Sequence, residues 1–176
     1  MLITFKNKDT LKLDDYSLKC SIGKNGISLI KKEGDKCTPQ GVFTFGKLYY
    51  RADRVKKPET KISSKIIKKD MGWCDDVTNK SYNKEIKINK KIKHEKLFRK
   101  DNSYDYLIVI NYNTKNIKRA KGSAIFLHLT KNYKKTAGCV AVKEKDLLII
   151  LKLINKSSKI KIYWSLLPKI LEPILT

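Results

Sequence analysis

The sequence predicts a β-rich α+β domain with one main helix, on three observations. Short apolar or alternating runs, separated by turn-forming residues, fill the first 45 residues and return over residues 104–129. Residues 143–154 place apolar side chains at helical spacing. The length of 176 residues suits one domain, which at this size buries enough surface to fold without disulfides. We therefore expect residues 1–176 to form a single domain of mixed and antiparallel sheets.

The amino-terminal strands are predicted from four short runs, which read LITFK, LKL, SLKCSI and ISLIKK. Asn25-Gly26 predicts a hairpin turn between the last two runs, because both residues tolerate a positive φ. GVFTF, residues 41–45, follows a Thr-Pro-Gln turn and predicts a further strand. Residues 51–103 are polar and lack a strong period, so we expect long loops there with at most a short helix.

Regular structure returns in the carboxyl-terminal half of the chain. YDYLIVINYN, residues 104–113, and SAIFLHL, residues 123–129, are predicted as buried strands, and the second carries His128 near its end. IKIYW, residues 160–164, predicts a closing strand. The apolar tail SLLPKILEPILT is expected to pack back on the domain.

The main helix is predicted over KEKDLLIILKLI. The apolar residues that fall on one face at helical spacing are Leu147, Leu148, Leu151 and Ile154. Three more apolar residues lie elsewhere on the helix and indicate burial on more than one side; they are Ile149, Ile150 and Leu153.

Charge dominates the composition, because the formal net charge is +23. Of the 40 basic residues four are arginines, at positions 51, 54, 99 and 119, which leaves 36 lysines spread along the whole chain. Arginine is the usual reader of guanine edges and the usual bidentate phosphate ligand, so its scarcity argues against a specific nucleic-acid site. We interpret the charge as a solvated basic surface, and a non-enzymatic polyanion-binding module stays as an alternative function class.

Two kinds of segment are missing from the sequence as it is written. No apolar run reaches the roughly 18 residues of a membrane span. The amino terminus lacks the uninterrupted apolar stretch of about 7 to 15 residues that a signal peptide needs. We therefore expect no membrane span and, if this is the native start, a cytoplasmic protein.

The four cysteines, at positions 20, 37, 74 and 139, form no CxxC pair and have no histidine cluster beside them. This pattern argues against a zinc site, and nothing else in the sequence indicates a metal or a cofactor. The even count permits two disulfides in an oxidising compartment and four thiols in a reducing one. The sequence leaves both states open.

The segment HLTKNYKKTAGCVAV, residues 128–142, joins one of the two histidines of the chain to one of its four cysteines. Cys139 follows Ala137-Gly138, a flexible turn through which backbone amides could approach a developing oxyanion. It also precedes the predicted helix, whose amide-rich amino terminus favours a thiolate. A loop of ten residues would return Cys139 to the side of His128. A small core cysteine and a structural histidine fit the same spacing, which leaves both interpretations open.

Further motifs give this segment a context. SAIFLHLTKNYKKTAGCVAV resembles the signature of the L,D-transpeptidase (YkuD-type) catalytic domain, in which a histidine and a downstream Ser/Thr-x-Gly-Cys form the active site. KKEGDKCTPQGVF is similar to an earlier block of that family, Asp-x-x-Thr-Pro-x-Gly. YYRADRVKKPET, GWCDD, SYN and LFRKDNSYDYLIVINYN resemble a subgroup with Gly-Trp-Cys-Asp-Asp and Gly-Cys-Val-Ala motifs. Together the motifs span about residues 18–155.

The resemblance implies a cysteine acyltransferase that acts on the peptidoglycan stem peptides of a bacterial cell wall. The thiolate of Cys139 would attack the carbonyl of an L-centre residue, typically meso-diaminopimelate, linked to a terminal D-Ala. His128 would take the thiol proton and return it to the leaving amine. The backbone amides of Gly138 and Cys139 would hold the oxyanion. Water or an acceptor amine would then resolve the thioester.

The resemblance also indicates which residues bind the substrate. Thr136 belongs to the matched motif, and the residues expected to shape the groove are Trp73, Asp75, Asp76, Tyr82 and Asn83. The two aspartates would hold the ammonium group of the stem peptide; the alternative is that they form a turn or cap a helix.

One departure from the family pattern concerns the substrate carboxylates. Many family members have an arginine after the nucleophile and a glycine after the histidine, where this chain has Val140-Ala141-Val142 and Leu129. The chain's candidate replacements are Arg51, Arg54 and Arg99, because a planar guanidinium pairs well with a carboxylate. The alternative is that all three are surface arginines.

Two reactions fit the same site, and the sequence leaves both open. A transpeptidase would form 3-3 cross-links or attach proteins outside the inner membrane. An L,D-carboxypeptidase would let water resolve the thioester and would trim tetrapeptides to tripeptides, which is compatible with the cytoplasm during wall recycling. The missing signal peptide favours the second reaction, and the family name favours the first.

Overall fold

Strands dominate the chain over residues 1–163, which are the residues that this computed structural model describes. Over that range the strands are accompanied by a single α-helix and by a short 3-10 helix (Asn102–Tyr104). The elements in chain order are β1 (Leu2–Asn7), β2 (Thr10–Leu13), β3 (Tyr16–Ser21), β4 (Ile27–Ser28), β5 (Thr38–Pro39), β6 (Gly41–Tyr50), β7 (Ser64–Ile66), β8 (Met71–Cys74), β9 (Glu85–Lys87), β10 (His94–Lys96), β11 (Tyr106–Ile110), β12 (Phe126–Leu129), β13 (Val140–Val142), α1 (Glu144–Leu153) and β14 (Lys159–Ile162).

Nine of these strands form one sheet that closes on itself. Their order is β11-β12-β13-β3-β2-β1-β14-β6-β7, and β6 pairs in addition with β11. Closure depends on the length of β6, because residues 41–44 pair with β14 and residues 45–50 pair with β11. Parallel pairs such as β12 with β13 lie among antiparallel ones. The sheet is therefore mixed and barrel-like, and the prediction of a β-rich fold with one main helix is confirmed for residues 1–163.

The two faces of β12 pack into two different clusters of buried residues. Leu127 points into the main core inside the barrel, where it meets Val140 of β13. Phe126 belongs to a second cluster, which also contains Cys139. Because successive strand residues alternate between faces, His128 shares the face of Phe126 and not that of Leu127.

Helix α1 follows Cys139 at a short distance along the chain, as predicted. The helix buries Leu147, Ile150 and Leu151 against the main core, and Ile154, which caps its carboxyl end, is buried there as well. The prediction of the buried face was wrong for one residue, because Leu148 is 36% exposed and Ile150 is buried in its place. Residues 147, 150, 151 and 154 keep the i, i+3, i+4, i+7 spacing of a single stripe, from which 148 departs. No helix within residues 1–163 is long and apolar enough to cross a membrane.

The loops predicted for residues 51–103 are wrong in part, because four short strands, β7 to β10, lie there. Three of them form a small sheet in the order β10-β8-β9. Strands of three or four residues are too short to display a period, and all four residues of β8 are buried, so no alternation marks it. The Trp73 ring of β8 packs edge-on against the Phe126 ring, with centroids 5.2 Å apart. The small sheet is thereby fixed against the face that carries His128.

Two predictions near residue 30 are wrong. ISLIKK was predicted as a strand, but β4 ends at Ser28, and Leu29 and Ile30 are 75% and 73% exposed. Asn25-Gly26 does form a turn, with Gly26 at a φ of 85°. That turn closes no hairpin, because β3 pairs with β2 and β13, and β4 pairs in parallel with β5.

The predicted closing strand is present as β14, which pairs with β1 and β6. Trp164, at the end of the predicted strand, and the tail of residues 165–176 lie outside the described residues. No packing is therefore assigned to that tail.

Candidate active site

The thiol of Cys139 lies at the entrance to β13, between two backbone groups of the neighbouring segment. Its Sγ–H donates to the carbonyl oxygen of Ala124 at 3.2 Å, and its Sγ accepts the N–H of Phe126 at 3.4 Å. Burial raises the pKa of the thiol to about 12, and the nearby carboxylate of Glu95 adds to this rise. The Phe126 N–H acts in the opposite direction, because it stabilises the thiolate. Cys139 is therefore a neutral thiol at pH 7, and all four cysteines are free.

The turn before Cys139 is built by Thr136 and Gly138. The Thr136 hydroxyl donates to the carbonyl oxygen of Cys139 at 2.6 Å and accepts the Gly138 N–H at 3.1 Å. Gly138 has a φ of 144°, and a Cβ added there would lie 2.9 Å from the carbonyl oxygen of Cys37. The position therefore requires glycine on two counts, backbone conformation and space. The Gly138 N–H that was expected to hold an oxyanion is already bound to Thr136.

The imidazole of His128 is fixed in one tautomer by its own strand. Its Nδ1 lies 2.9 Å from the carbonyl oxygen of Leu129. A carbonyl oxygen only accepts, so Nδ1 carries the proton and Nε2 presents a lone pair. The ring packs edge-on against Tyr104 with centroids 5.2 Å apart. Burial lowers the pKa of His128 to about 4, so the imidazole is neutral at pH 7.

Register brings Cys139 and His128 to one face of adjoining strands. In the parallel pair β12–β13, Leu127 lies opposite Val140 and His128 opposite Ala141. The same register, extended by one residue toward the amino terminus of both strands, places Cys139 opposite Phe126. Cys139 and His128 are therefore diagonal neighbours on that face. Both line the same cavity.

This cavity has a volume of about 1120 Å³ and a strongly charged wall. On the Ala124 side, one oxygen of Glu33 accepts the hydroxyl of Ser123 at 2.9 Å and also that of Tyr82. Asp75 lies on the same wall, and its Oδ1 is buried without a hydrogen-bond partner among residues 1–163. Burial and the Glu33 carboxylate both raise the pKa of Asp75. Two carboxylates with incomplete pairing thus face the cavity.

A second part of the wall, on the His128 side, is a network around Tyr104. The Tyr104 hydroxyl donates to Oε1 of Glu95 at 2.7 Å, and Nη1 of Arg99 reaches the same oxygen at 3.3 Å. Arg99 also pairs with Asp101 at 2.7 Å and lies over the Tyr104 ring, 5.0 Å from its centroid. The hydrogen bonds from Arg99 lower the pKa of Asp101, so this wall carries fixed charges of both signs.

The structure brings five of the predicted site residues to the cavity, and these are Cys139, His128, Thr136, Asp75 and Arg99. The other seven do not line it: Gly138, Trp73, Asp76, Tyr82, Asn83, Arg51 and Arg54. Gly138 lies in the turn just described, and Tyr82 lies behind Glu33.

Asn83 and Trp73 lie behind the wall as a support. The Asn83 Oδ1 accepts the indole N–H of Trp73 at 2.9 Å and the N–H of Ala124 at 3.1 Å. Its Nδ2 donates to the carbonyl oxygen of Asn113 at 2.7 Å. Ala124 has a φ of 52°, so its carbonyl meets the Cys139 thiol from an unusual backbone conformation that Asn83 holds in place.

The remaining predicted residues are used in local structure. Asp76 accepts the N–H and the hydroxyl of Thr78 at 3.0 and 2.7 Å, which is the turn-forming alternative. Arg51 is 3% exposed and is bound by both oxygens of Asp53. Arg54 pairs with Asp105 at 3.1 Å. These two arginines have carboxylate partners within the protein and do not reach the cavity.

Residues that the sequence analysis missed complete the site. The cavity-lining members are Lys31, Glu33, Glu95, Tyr104 and Ser123. Lys31 is 5% exposed, pairs with Asp35 and donates to the carbonyl oxygen of Cys37 at 2.6 Å. The two glutamates could have been identified by the scarcity of acidic residues, since only 17 residues of this chain are Asp or Glu.

Comparison with known proteins identifies a protein family whose model matches this chain. The family model YkuD, described as the L,D-transpeptidase catalytic domain, matches residues 2–162. The matched range runs from β1 to β14 and includes every residue that lines the cavity. A comparison with curated proteins finds no match for the chain.

Proposed function

Because the chain belongs to the YkuD family of L,D-transpeptidase catalytic domains, we propose that it is a cysteine acyltransferase of peptidoglycan stem peptides. Family membership makes it an enzyme of the L,D-transpeptidase type. The proposed bond joins the L-centre of a diaminopimelate residue to a terminal D-Ala. The observation that carries the proposal is the shared cavity face of Cys139 and His128, with the histidine lone pair on Nε2.

Acylation begins from a neutral pair in this proposal. The thiol of Cys139 has its pKa raised to about 12 and the imidazole of His128 has its pKa lowered to about 4, so a thiolate–imidazolium pair is not the resting state. Proton transfer from Sγ to Nε2 therefore accompanies attack on the carbonyl carbon. The C–N bond to D-Ala then breaks, and the proton passes from Nε2 to the leaving amine. The Phe126 N–H stabilises the sulfur while it carries negative charge.

The oxyanion is assigned to the backbone N–H of Cys139. The Gly138 N–H would have to leave the Thr136 hydroxyl before it could contribute a second hydrogen bond. We assign Thr136 the role of bracing the turn, because its hydroxyl binds both the Gly138 N–H and the Cys139 carbonyl. Preorganised donors of this kind stabilise a transition state without reorganising.

Charged groups of the substrate are proposed to meet opposite charges on the cavity wall. Asp75 and Glu33 are proposed to bind the side-chain ammonium of diaminopimelate, because Asp75 has a buried oxygen that lacks a partner among residues 1–163. Arg99 is proposed to attract the substrate carboxylates, because it lines the cavity and its side chain stays 38% exposed while it pairs with Asp101 and Glu95. Trp73, Tyr82 and Asn83 support this wall from behind.

The decisive experiment incubates the purified protein with a disaccharide tetrapeptide, alone and with a second stem peptide as acceptor, and identifies products by mass spectrometry. A cross-linked dimer indicates a transpeptidase, and loss of D-Ala without a dimer indicates an L,D-carboxypeptidase. Cys139→Ala should abolish both products, whereas the matched thiol variant Cys37→Ala should retain them. Equal product from Cys139→Ala would overturn the proposal. If the wild type forms no product and binds polyanions in a way that is lost at high salt and indifferent to Cys139, the non-enzymatic class is supported instead.

A further inference from the structure

Glu95 places a carboxylate in the cavity beside a nucleophilic thiol. The residue belongs to β10, its side chain is 30% exposed, and it lines the cavity together with Cys139. Its Oε1 is held by the Tyr104 hydroxyl at 2.7 Å and by Arg99 at 3.3 Å. No hydrogen bond from the described residues reaches Oε2. One oxygen is therefore fixed by the protein while the other stays available to a ligand.

A carboxylate at this position opposes the first half of the reaction. Its negative charge contributes to the raised pKa of Cys139, and so disfavours the sulfur anion that attacks the substrate. The chain has only 17 acidic residues against 40 basic ones, so a carboxylate here is not a consequence of composition. Glu95 must therefore either stabilise the cavity wall or act in the second half of the reaction, in which a nucleophile attacks the thioester.

The position of Glu95 relative to His128 decides between these uses. The Tyr104 ring contacts the His128 ring, and the Tyr104 hydroxyl reaches from that ring to Glu95. In the proposed mechanism His128 gives a proton to the leaving amine and later takes one from the incoming nucleophile. Amines therefore enter and leave on the His128 side of the cavity, which is the side where Glu95 lies.

We propose that Glu95 binds the ammonium group of an acceptor amine and so directs the thioester toward aminolysis and away from hydrolysis. This inference rests on the proposed function. The ligand class is a primary alkylamine in its protonated form, such as the free side-chain amine of a second stem peptide. The free oxygen of the Glu95 carboxylate attracts this cation and holds the acceptor nitrogen near the thioester carbonyl carbon, which the nitrogen must attack.

Aminolysis of the thioester removes two protons from the acceptor nitrogen. The acceptor arrives as R–NH3⁺ and loses one proton to solvent, which leaves a nucleophilic lone pair. The nitrogen attacks the thioester carbonyl, a C–N bond forms, and the C–S bond breaks with its electron pair on Sγ. A second proton passes from the nitrogen to Nε2 of His128 and then to Sγ. The products are an amide and the free thiol.

The fold contains a matched control for Glu95. Trp73 of β8 lies opposite Glu95 of β10 on one side and opposite Glu85 of β9 on the other. Glu85 accepts a tyrosine hydroxyl, that of Tyr49 at 2.8 Å, and pairs with Lys65 at 2.7 Å. Like Glu95 it therefore has one tyrosine partner and one cationic partner, but both of its oxygens are bound and it does not line the active-site cavity.

The test measures how one acyl-enzyme is partitioned. The donor is a tetrapeptide stem, and the acceptor is a tripeptide stem with a free amine and a heavy-isotope label, supplied at increasing concentration at pH 7.5, so that the mixed product is recognised by its mass. Mass spectrometry gives the ratio of cross-linked product to hydrolysed donor. Glu95→Gln should lower this ratio about tenfold to hundredfold, because a charge-assisted hydrogen bond is lost. Glu95→Asp should restore some of it, and Glu85→Gln should leave it as in the wild type.

Each outcome bears on one proposal. An unchanged ratio in Glu95→Gln, or an equal loss in Glu85→Gln, overturns the role of Glu95. A wild type that forms the thioester but gives only hydrolysis overturns this inference and leaves the proposed acylation intact. A wild type that forms no thioester on Cys139 overturns the proposed function itself. If circular dichroism shows that Glu95→Gln does not fold, Tyr104→Phe replaces it, since that variant releases Oε1 and is expected to lower the same ratio.

Discussion

The Thr136 hydroxyl lies 2.6 Å from the carbonyl oxygen of Cys139, to which it donates, and the hydroxyl oxygen accepts the N–H of Gly138. One side chain therefore holds both ends of the turn that presents the thiol. Because the threonine is anchored in turn by a bridge to Gly23, the turn is tied to the strand system of the barrel.

Removing the Thr136 hydroxyl should slow acylation more than it weakens substrate binding. Thr136→Val keeps the shape of the side chain but leaves the Gly138 N–H and the Cys139 carbonyl without their partner. Leaving these part-buried groups without a partner costs about 1–3 kcal/mol, which corresponds to roughly fivefold to 150-fold in rate. Steady-state kinetics of D-Ala release should show the loss in kcat. Thr136→Ser retains the hydroxyl and should stay within a few-fold of the wild type; equal kinetics for Thr136→Val would exclude a bracing role.

Protonation of His128 should set the acid limb of the pH–rate profile. The base must be neutral, and burial lowers its pKa to about 4, so activity should fall as pH drops through about 4 and should be flat near 6.5. NMR titration of the two histidines checks the assignment, because His128→Gln removes one resonance. A His128 resonance that titrates near 6.5 would contradict the burial argument.

Alkylation should show that the nucleophile rests as a thiol. Burial raises the pKa of Cys139 to about 12, so iodoacetamide at pH 7.5 should modify it more slowly than the half-buried Cys37. Peptide mapping by mass spectrometry gives the two rates separately. Raising the pH should accelerate modification of Cys139. Preferential modification of Cys139 at pH 7.5 would indicate a preformed thiolate and would contradict the neutral resting pair.

The sequence could predict that His128 and Cys139 lie close together because their signal is local. His128 and Cys139 lie in one motif, and the parallel register of β12 and β13 then places them on one face. The side chains that carry charge to the cavity come from distant segments, and a single sequence contains no record of such pairings. Ser123 and Glu33, for example, are 90 residues apart and share a hydrogen bond.

Two arginines were predicted at the site but do not reach the cavity. Arg51 and Arg54 were sensible candidates by residue type, but each has a carboxylate partner that no spacing rule predicts. Arg51 in addition stacks on Phe98, 3.4 Å from the ring centroid, which accounts for its burial. Residue type indicates what a side chain could bind, whereas packing decides which groups remain free to bind it.

Asn83 should prove important for stability as well as for the site. Asn83→Ala removes bonds to Trp73, Ala124 and Asn113, and leaves buried donors and acceptors without partners. We expect a loss of about 2–4 kcal/mol in the free energy of unfolding, measured by urea denaturation. The control is Asn89→Ala, an exposed turn residue that accepts the Lys91 N–H and should cost less than about 1 kcal/mol. Equal losses in the two variants would argue that the buried network contributes little.

Gly138→Ala should separate backbone strain from steric conflict in the catalytic turn. The added Cβ would lie 2.9 Å from the Cys37 carbonyl oxygen, and the residue would keep a φ of 144°. The control, Gly34→Ala, also lies at the cavity and has a φ of 77°, but nothing lies within 4 Å of the new Cβ, so it carries backbone strain without steric conflict. Strain at such a φ costs about 1–3 kcal/mol, and we expect both variants to lose stability by that amount. Gly138→Ala should in addition lose at least about tenfold in kcat, because the backbone must move away from Cys37 and shifts the thiol relative to His128. If kcat in Gly138→Ala fell no further than in Gly34→Ala, the close approach of the two backbones would have no role in positioning the nucleophile.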